Sequence, residues 1–176
     1  LPDQTLVYDA AASEALQTPV WFILVSTLSG LAQYRARNMV WVYDKWLVGD
    51  PQSSNIGYLV QDTGHHWGQQ VRWEFGTLIV YNESNGAIFN ELELVSLTGS
   101  IALGKNPQIS TSYSLDGKSY SQEKFISVGT IGNTKKRLAW FQQGHMRNWR
   151  IQRFRGDSDA HVSFIRLEAQ IEPLAY

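Results

Sequence analysis

The chain has no cysteine among its 176 residues, which excludes a disulfide framework and a thiolate metal site and leaves the redox compartment unreadable. It has almost no charge imbalance. Fifteen Lys and Arg against sixteen Asp and Glu give a formal charge of −1 and a pI near 6.5, so no general attraction to nucleic acid or to an anionic membrane is expected. It also lacks a long hydrophobic run. The longest, 19–28 (PVWFILVSTL), is too short to cross a bilayer and follows no positive segment, so it reads as neither a membrane helix nor a signal peptide and no membrane partner is expected. The HExxH, P-loop, GxSxG and EF-hand spacings are absent, which removes the familiar catalytic and ion-binding motifs. The first residue is Leu1 rather than Met, as in a fragment or a processed product. At this length roughly 70% of the unfolded surface can be buried, enough for a core without staples.

What the chain does have is a local concentration of positive charge. From Trp140 to Arg155 it reads WFQQGHMRNWRIQRFR, with Arg147, Arg150, Arg153 and Arg155 interleaved with Trp140, Phe141, Trp149 and Phe154 and no carboxylate. Extended back to Lys135, Lys136 and Arg137, the window holds seven of the fifteen basic side chains. Basic residues with aromatic neighbours suit a polyanion groove or an interface anchored by Arg and Trp. They also suit a plain β-hairpin whose aromatics pack inward while the arginines are solvated on the other face.

Strand signals dominate. Short runs of β-branched and aromatic residues alternate with polar ones and are separated by Gly, Asn, Asp and Ser. In the first third, 5–8, 20–26, 39–43, 46–48 and 56–61 read as strands; only Asp9–Leu16 and the weaker 29–37 have helical character. Val7-Tyr8-Asp9 and Val42-Tyr43-Asp44 form a repeated pattern, each ahead of a turn and a Trp-bearing strand, like successive propeller-blade hairpins. From Trp67 the strands lengthen: 69–74, 77–81, 88–96, 108–114, 123–126, 137–140, 147–154 and 162–171. The expected organisation is therefore all-β, with propeller-blade-like strands over 1–66 and an antiparallel sandwich, jelly-roll or discoidin-like, over 67–176. Asp116-Gly117 supplies the left-handed conformations of a tight two-residue hairpin turn.

Candidate chemistry is sparse. His65 and His66 are adjacent and would point to opposite faces of a strand, while His145 and His161 are distant, so no metal or other cofactor is expected. Glu91 and Glu93 lie two apart on one strand, as a sandwich glycosidase presents carboxylates, but Leu92 and Leu94 claim the inner face and leave both acids outside. The seven tryptophans and eight tyrosines exceed what one small core needs. Trp73, Trp140 and Trp149 read as sandwich packing, and Trp41, Trp46 and Trp67 as domain or subunit contacts. A carbohydrate-binding sandwich with exposed aromatics would use the same material.

The ordered landmarks TLVYDA (5–10), IGYL (56–59) with Asp62, LELVSLTG (92–99), ISTSYSLDGKSYSQEKFI (109–126), RLAW (137–140), RIQRFR (150–155) and IRLEA (165–169) form a series. It resembles the C-terminal part of the packaged DNA stabilisation proteins of short-tailed bacteriophages, which are tail accessory (hub or nozzle) proteins. The resemblance implies a non-enzymatic virion component made in the host cytoplasm and built as a propeller followed by a sandwich. It further implies a homo-oligomeric ring, a hexamer in the intact protein, that contacts the portal adaptor, tail needle and tailspikes and closes the DNA channel. On this reading Lys135, Lys136, Arg137, Arg147, Arg150, Arg153 and Arg155 are contacts to a neighbouring subunit in preference to DNA, because a genome that must leave is poorly served by a tight grip.

Overall fold

The alternating runs become strands wherever a neighbour takes their hydrogen bonds, and the chain divides into the units Leu1–Arg72 and Trp73–Tyr176. The computed structural model describes all residues except 1–3, 28–29, 31–32, 61–62, 84, 102, 158 and 176, with the side chains of 160 and 161 also left out. In the first unit β1 (Thr5–Tyr8) pairs antiparallel with β2 (Trp21–Leu24). Helix α1 (Ala10–Leu16) lies between them, begun by Asp9, whose Oδ1 accepts the Ala12 amide at 2.9 Å, and ended by Gln17 in the left-handed region. That is the Asp-led start expected of a short amphipathic turn. β3 (Arg37–Val42), β4 (Lys45–Gly49) and β5 (Ile56–Tyr58) form an antiparallel sheet. The weak helical stretch 29–37 falls partly outside the described residues, and its last residue opens β3.

The Val-Tyr-Asp repeat turns out to be used in two different ways. Asp9 caps a helix, whereas Tyr43 and Asp44, at φ 51° and 58°, are the two central residues of the β3–β4 hairpin. This is the two-residue turn with both centres left-handed that matches strand twist.

The second unit is an antiparallel sandwich. One sheet runs β10 (Lys124–Ser127), β9 (Gln108–Ser114), β13 (Trp149–Asp157) and β6 (Arg72–Gly76), with β7 (Val80–Tyr81) also on β13. The other is centred on the long β8 (Ala87–Ile101). β11 (Ala139–Phe141) and β12 (His145–Met146) lie along one edge of β8 and β14 (Ala160–Pro173) along the other. Both sheets feed one core: Leu94, Ile101 and Trp140 from the β8 sheet meet Ile109 and Phe154 from the other, with Val128 and Leu138. Each large apolar side chain buried there contributes about 1.5–3 kcal/mol.

Asp116-Gly117 does not form a two-residue hairpin. Lys124 pairs with Thr111 and Ser127 with Gln108, so the β9–β10 connection is the longer loop 115–123, and of the pair only Gly117 has positive φ, at 72°. The Asp116 carboxylate organises this loop instead, accepting the amides of Lys118 and Ser119 at 2.8 and 2.7 Å and the Ser114 hydroxyl at 3.0 Å. β12 was not apparent in sequence, because two residues, His145 and Met146, carry no period.

The joint of the sandwich at β13 is tight. A Cβ on Gly156 would overlap Trp73 Cζ2, and Trp73 Nε1 donates to the Asp157 carbonyl at 3.1 Å. Gly156→Ala is expected to displace the indole and destabilise the sandwich by about 2–3 kcal/mol, read as a lowered urea midpoint by tryptophan fluorescence; an unchanged midpoint would show that Trp73 yields freely.

Candidate functional site

Strand alternation divides the basic stretch between two faces of β13. Arg150, Gln152 and Phe154 are buried on the inner face, whereas Trp149, Ile151, Arg153 and Arg155 are half-buried on the other. Arg150 has no exposed surface at all, with a relative accessibility of 0%. Its guanidinium lies between two rings, 4.2 Å from the Phe89 centroid and 3.9 Å from that of Tyr113. Nε and Nη2 both donate to Gln152 Oε1, at 3.0 and 2.7 Å, and Nη1 donates to the Gln143 carbonyl at 2.7 Å. Gln152 in turn donates to Thr111 Oγ1 at 2.5 Å. The Gln143 carbonyl belongs to a turn bonded to β8, where Phe89 N–H donates to Gly144 O and Gln143 N–H to Phe89 O, both at 2.8 Å. One cation thus ties β13 to the facing sheet.

No carboxylate among the described residues pairs with Arg150. Burial pushes its pKa down to about 10, with the Tyr113 phenol acting in the opposite direction. At neutral pH the side chain remains charged, and hydrogen bonds and ring faces must offset its desolvation. The expectation that all four arginines of the stretch face outward is therefore corrected for Arg150. A delocalised, weakly hydrated guanidinium is the one cation suited to such a slot.

Arg153 and Arg155 are engaged on the surface of the same sheet. Arg153 stacks on Tyr120 at 3.6 Å, with its Nε bonded to Ser112 Oγ at 3.2 Å and its Nη2 3.6 Å from Glu123. Arg155 reaches Glu74 and Glu123, both at 2.6 Å. Burial works to lower its pKa, but the hydrogen bonds to these two carboxylates raise it overall. Tyr120 and Glu123 sit on the loop that Asp116 organises, so Asp116 indirectly holds the acid and the ring that two arginines require.

Arg137 lies over the β8 sheet, with Nε 3.0 Å from Glu93 Oε1 and Nη2 2.9 Å from Glu91 Oε1. This places Glu91 and Glu93 together on the outer face under a guanidinium. The hydrogen bond from Arg137 holds the Glu93 carboxyl below its ordinary value, the opposite of what a glycosidic general acid needs. Lys135, Lys136 and Arg147 are exposed and meet no carboxylate among the described residues. They are not neighbours: Gly132 and Leu138 bond to Gly99 and Leu94, whereas Met146 pairs with Ala87, so roughly 30 Å of extended strand separates the lysines from Arg147. A cluster in sequence becomes three separate groups in space. The partners Glu74, Glu123, Tyr120, Gln143 and Gln152 escaped sequence reading; only Gln152, two residues from Arg150 and therefore on its face, carried a local signal.

Arg150→Ala should destabilise the sandwich by about 3–4 kcal/mol, from cavity formation plus unpaired Gln152 and Gln143 groups. Arg150→Met, which fills the volume and removes the charge, should recover at least half of that loss in denaturant titrations. Asp116→Asn should destabilise at neutral pH, because hydrogen bonds from the Ser119 hydroxyl and from the Lys118 and Ser119 amides hold the aspartate carboxyl well below its ordinary value. Stability from such a group is complete above the unfolded pKa and lost as pH falls through the folded one, so the gap between variant and parent should close on acidification.

Comparison with curated proteins finds no match to this chain. Models of protein families do match: residues 72–172 fit the β-sandwich of bacteriophage P22 Gp10, and residues 1–64 fit the β-propeller of the same protein. The matched spans cover most of both units and agree with an all-β antiparallel chain, and the model matched by residues 1–64 is named for phage stabilisation. The chain belongs to the bacteriophage P22 Gp10 family of packaged DNA stabilisation proteins, structural components of the phage virion.

Proposed function

We propose that this chain works in the tail hub of a short-tailed phage, below the portal and its adaptor. There, copies made in the host cytoplasm assemble into a ring, a hexamer in the intact protein. The ring closes the DNA channel after packaging and supports the tail needle and tailspikes. In this role the sandwich is a rigid, non-enzymatic building block whose contacts are with neighbouring subunits in preference to DNA.

The observation that supports this reading is how the basic stretch is spent. Arg150 is buried, Arg137 is held by Glu91 and Glu93, and Arg153 and Arg155 are held by Glu123 and Glu74. Lys135, Lys136 and Arg147 are left as the outward cations of the stretch, too dispersed to follow one phosphate backbone. The carbohydrate alternative gains little, since Trp140 is buried and Trp73 and Trp149 are half-buried in the sandwich.

With three outward cations in the stretch, binding of duplex DNA through it should show a log–log salt slope no steeper than about −3, from roughly 0.9 per phosphate contact, and Lys135, Lys136 and Arg147 reversals should account for that part of the slope. A slope near −6, or a full-length protein that stays monomeric in light scattering with its portal adaptor present, would overturn the proposal. Reversing Lys135, Lys136 and Arg147 to Glu should impair ring assembly while leaving the denaturation midpoint of the sandwich unchanged.

A further inference from the structure

β14 is the longest open edge of the sandwich. It pairs with β8 over Ala160–Pro173, and among the described residues no strand lies on its other side. Edge strands present unpaired backbone groups and are commonly protected by bulges or by charges of one sign. Here the register shifts fall between His161 and Ser163, Phe164 and Arg166, and Gln170 and Ile171, which leaves Arg166–Gln170 regular against β8. The charges on that regular stretch are of both signs: Arg166 and Glu168 are exposed at 68% and 47% and form an ion pair with each other. Leu167, between them, packs against the core from the inner face.

We infer that β14 is a pairing edge for β14 of a second copy of this chain, in an antiparallel register centred on Leu167. Directly opposed residues of an antiparallel pair share a face, so this register sets Arg166 against Glu168 of the partner subunit, and Glu168 against Arg166 of the partner subunit, on the outer face. Leu167 then meets its own counterpart on the inner face and extends the apolar layer across the two-fold axis. Moving the centre one residue either way opposes Glu168 to itself or Arg166 to itself, so charge selects a single register. The contact is isologous, whereas neighbours in a rotational ring use heterologous contacts. It therefore joins two rings, or holds two chains before a ring closes, and its failure leaves the virion reading intact.

The chain itself supplies the test. Sedimentation across a wide concentration range should show dimers, and Arg166→Glu or Glu168→Arg alone should each weaken self-association about tenfold, because the two-fold axis counts the change twice. Mixing the two variants should restore association, since one then carries two acids and the other two bases at the opposed positions. A merely structural role for the Arg166–Glu168 pair would not be rescued by mixing. A wild-type chain that stays monomeric overturns the inference. So does association indifferent to both reversals, as stacking through the exposed Trp41 and Trp46 would be, or protection of β14 from hydrogen exchange that appears only on adding the portal adaptor.

Discussion

A guanidinium enclosed between two sheets, with no counter-ion among the described residues, constrains everything around it. Arg150 keeps its charge only because Phe89 and Tyr113 present their ring faces and Gln152 and the Gln143 carbonyl take its hydrogens. Each of these belongs to a different strand or turn, so satisfying one cation fixes β8, β9, β13 and the turn after β11 relative to one another. Apolar packing alone tolerates repacking at small penalty, whereas a buried charge accepts only the arrangement that meets its donors. Nearby glycines serve the same purpose. At Gly144, with φ of 79°, a Cβ would lie 2.9 Å from the Tyr113 hydroxyl, so the bare backbone there lets the phenol ring lie where the guanidinium needs it.

The remaining arginines follow the same economy on the surface. Arg153 and Arg155 bind the loop 115–123 to the outside of the β9–β13 pair, and Arg137 spans the two acids of β8. Exposed ion pairs of this kind contribute little stability each. Their effect is to remove charge from the outer surface and to give loops a defined position, which suits a structural component of a virion. The first unit differs: Trp41, Trp46, Trp21 and Tyr58 are all about half-exposed or more on its small sheets.

Much of the architecture was legible because strand period is a local property. β1 and β9 have the boundaries that alternation gives, α1 occupies the stretch 9–16 that had helical character, and the outward placement of Glu91 and Glu93 follows from Leu92 and Leu94. Turn chemistry was less legible. Asp-Gly has the composition of a tight hairpin, yet the cross-strand demands of Ser110, Ser112 and Ser114, which need Glu123, Arg153 and Asp116 as partners, favour a longer loop, while Tyr43-Asp44 adopts the strained turn without glycine. The fate of the basic stretch was not legible at all. Whether an arginine on β13 faces water depends on a single step of strand phase, and the acids and rings that hold these arginines, Glu123, Tyr113, Phe89 and Glu74, lie 30 to 81 residues away, from Arg153 with Glu123 to Arg155 with Glu74. No local window contains them.

These features together describe a phage virion protein whose conspicuous positive segment is largely engaged within the sandwich itself. The most direct measurement is residue-resolved modification of arginine by a dicarbonyl reagent, followed by mass spectrometry of the native and urea-unfolded chain. Arg147 should react readily in the native protein, Arg153 and Arg155 more slowly, and Arg150 only after unfolding. Native-state reaction of Arg150 at the rate of Arg147 would contradict the account.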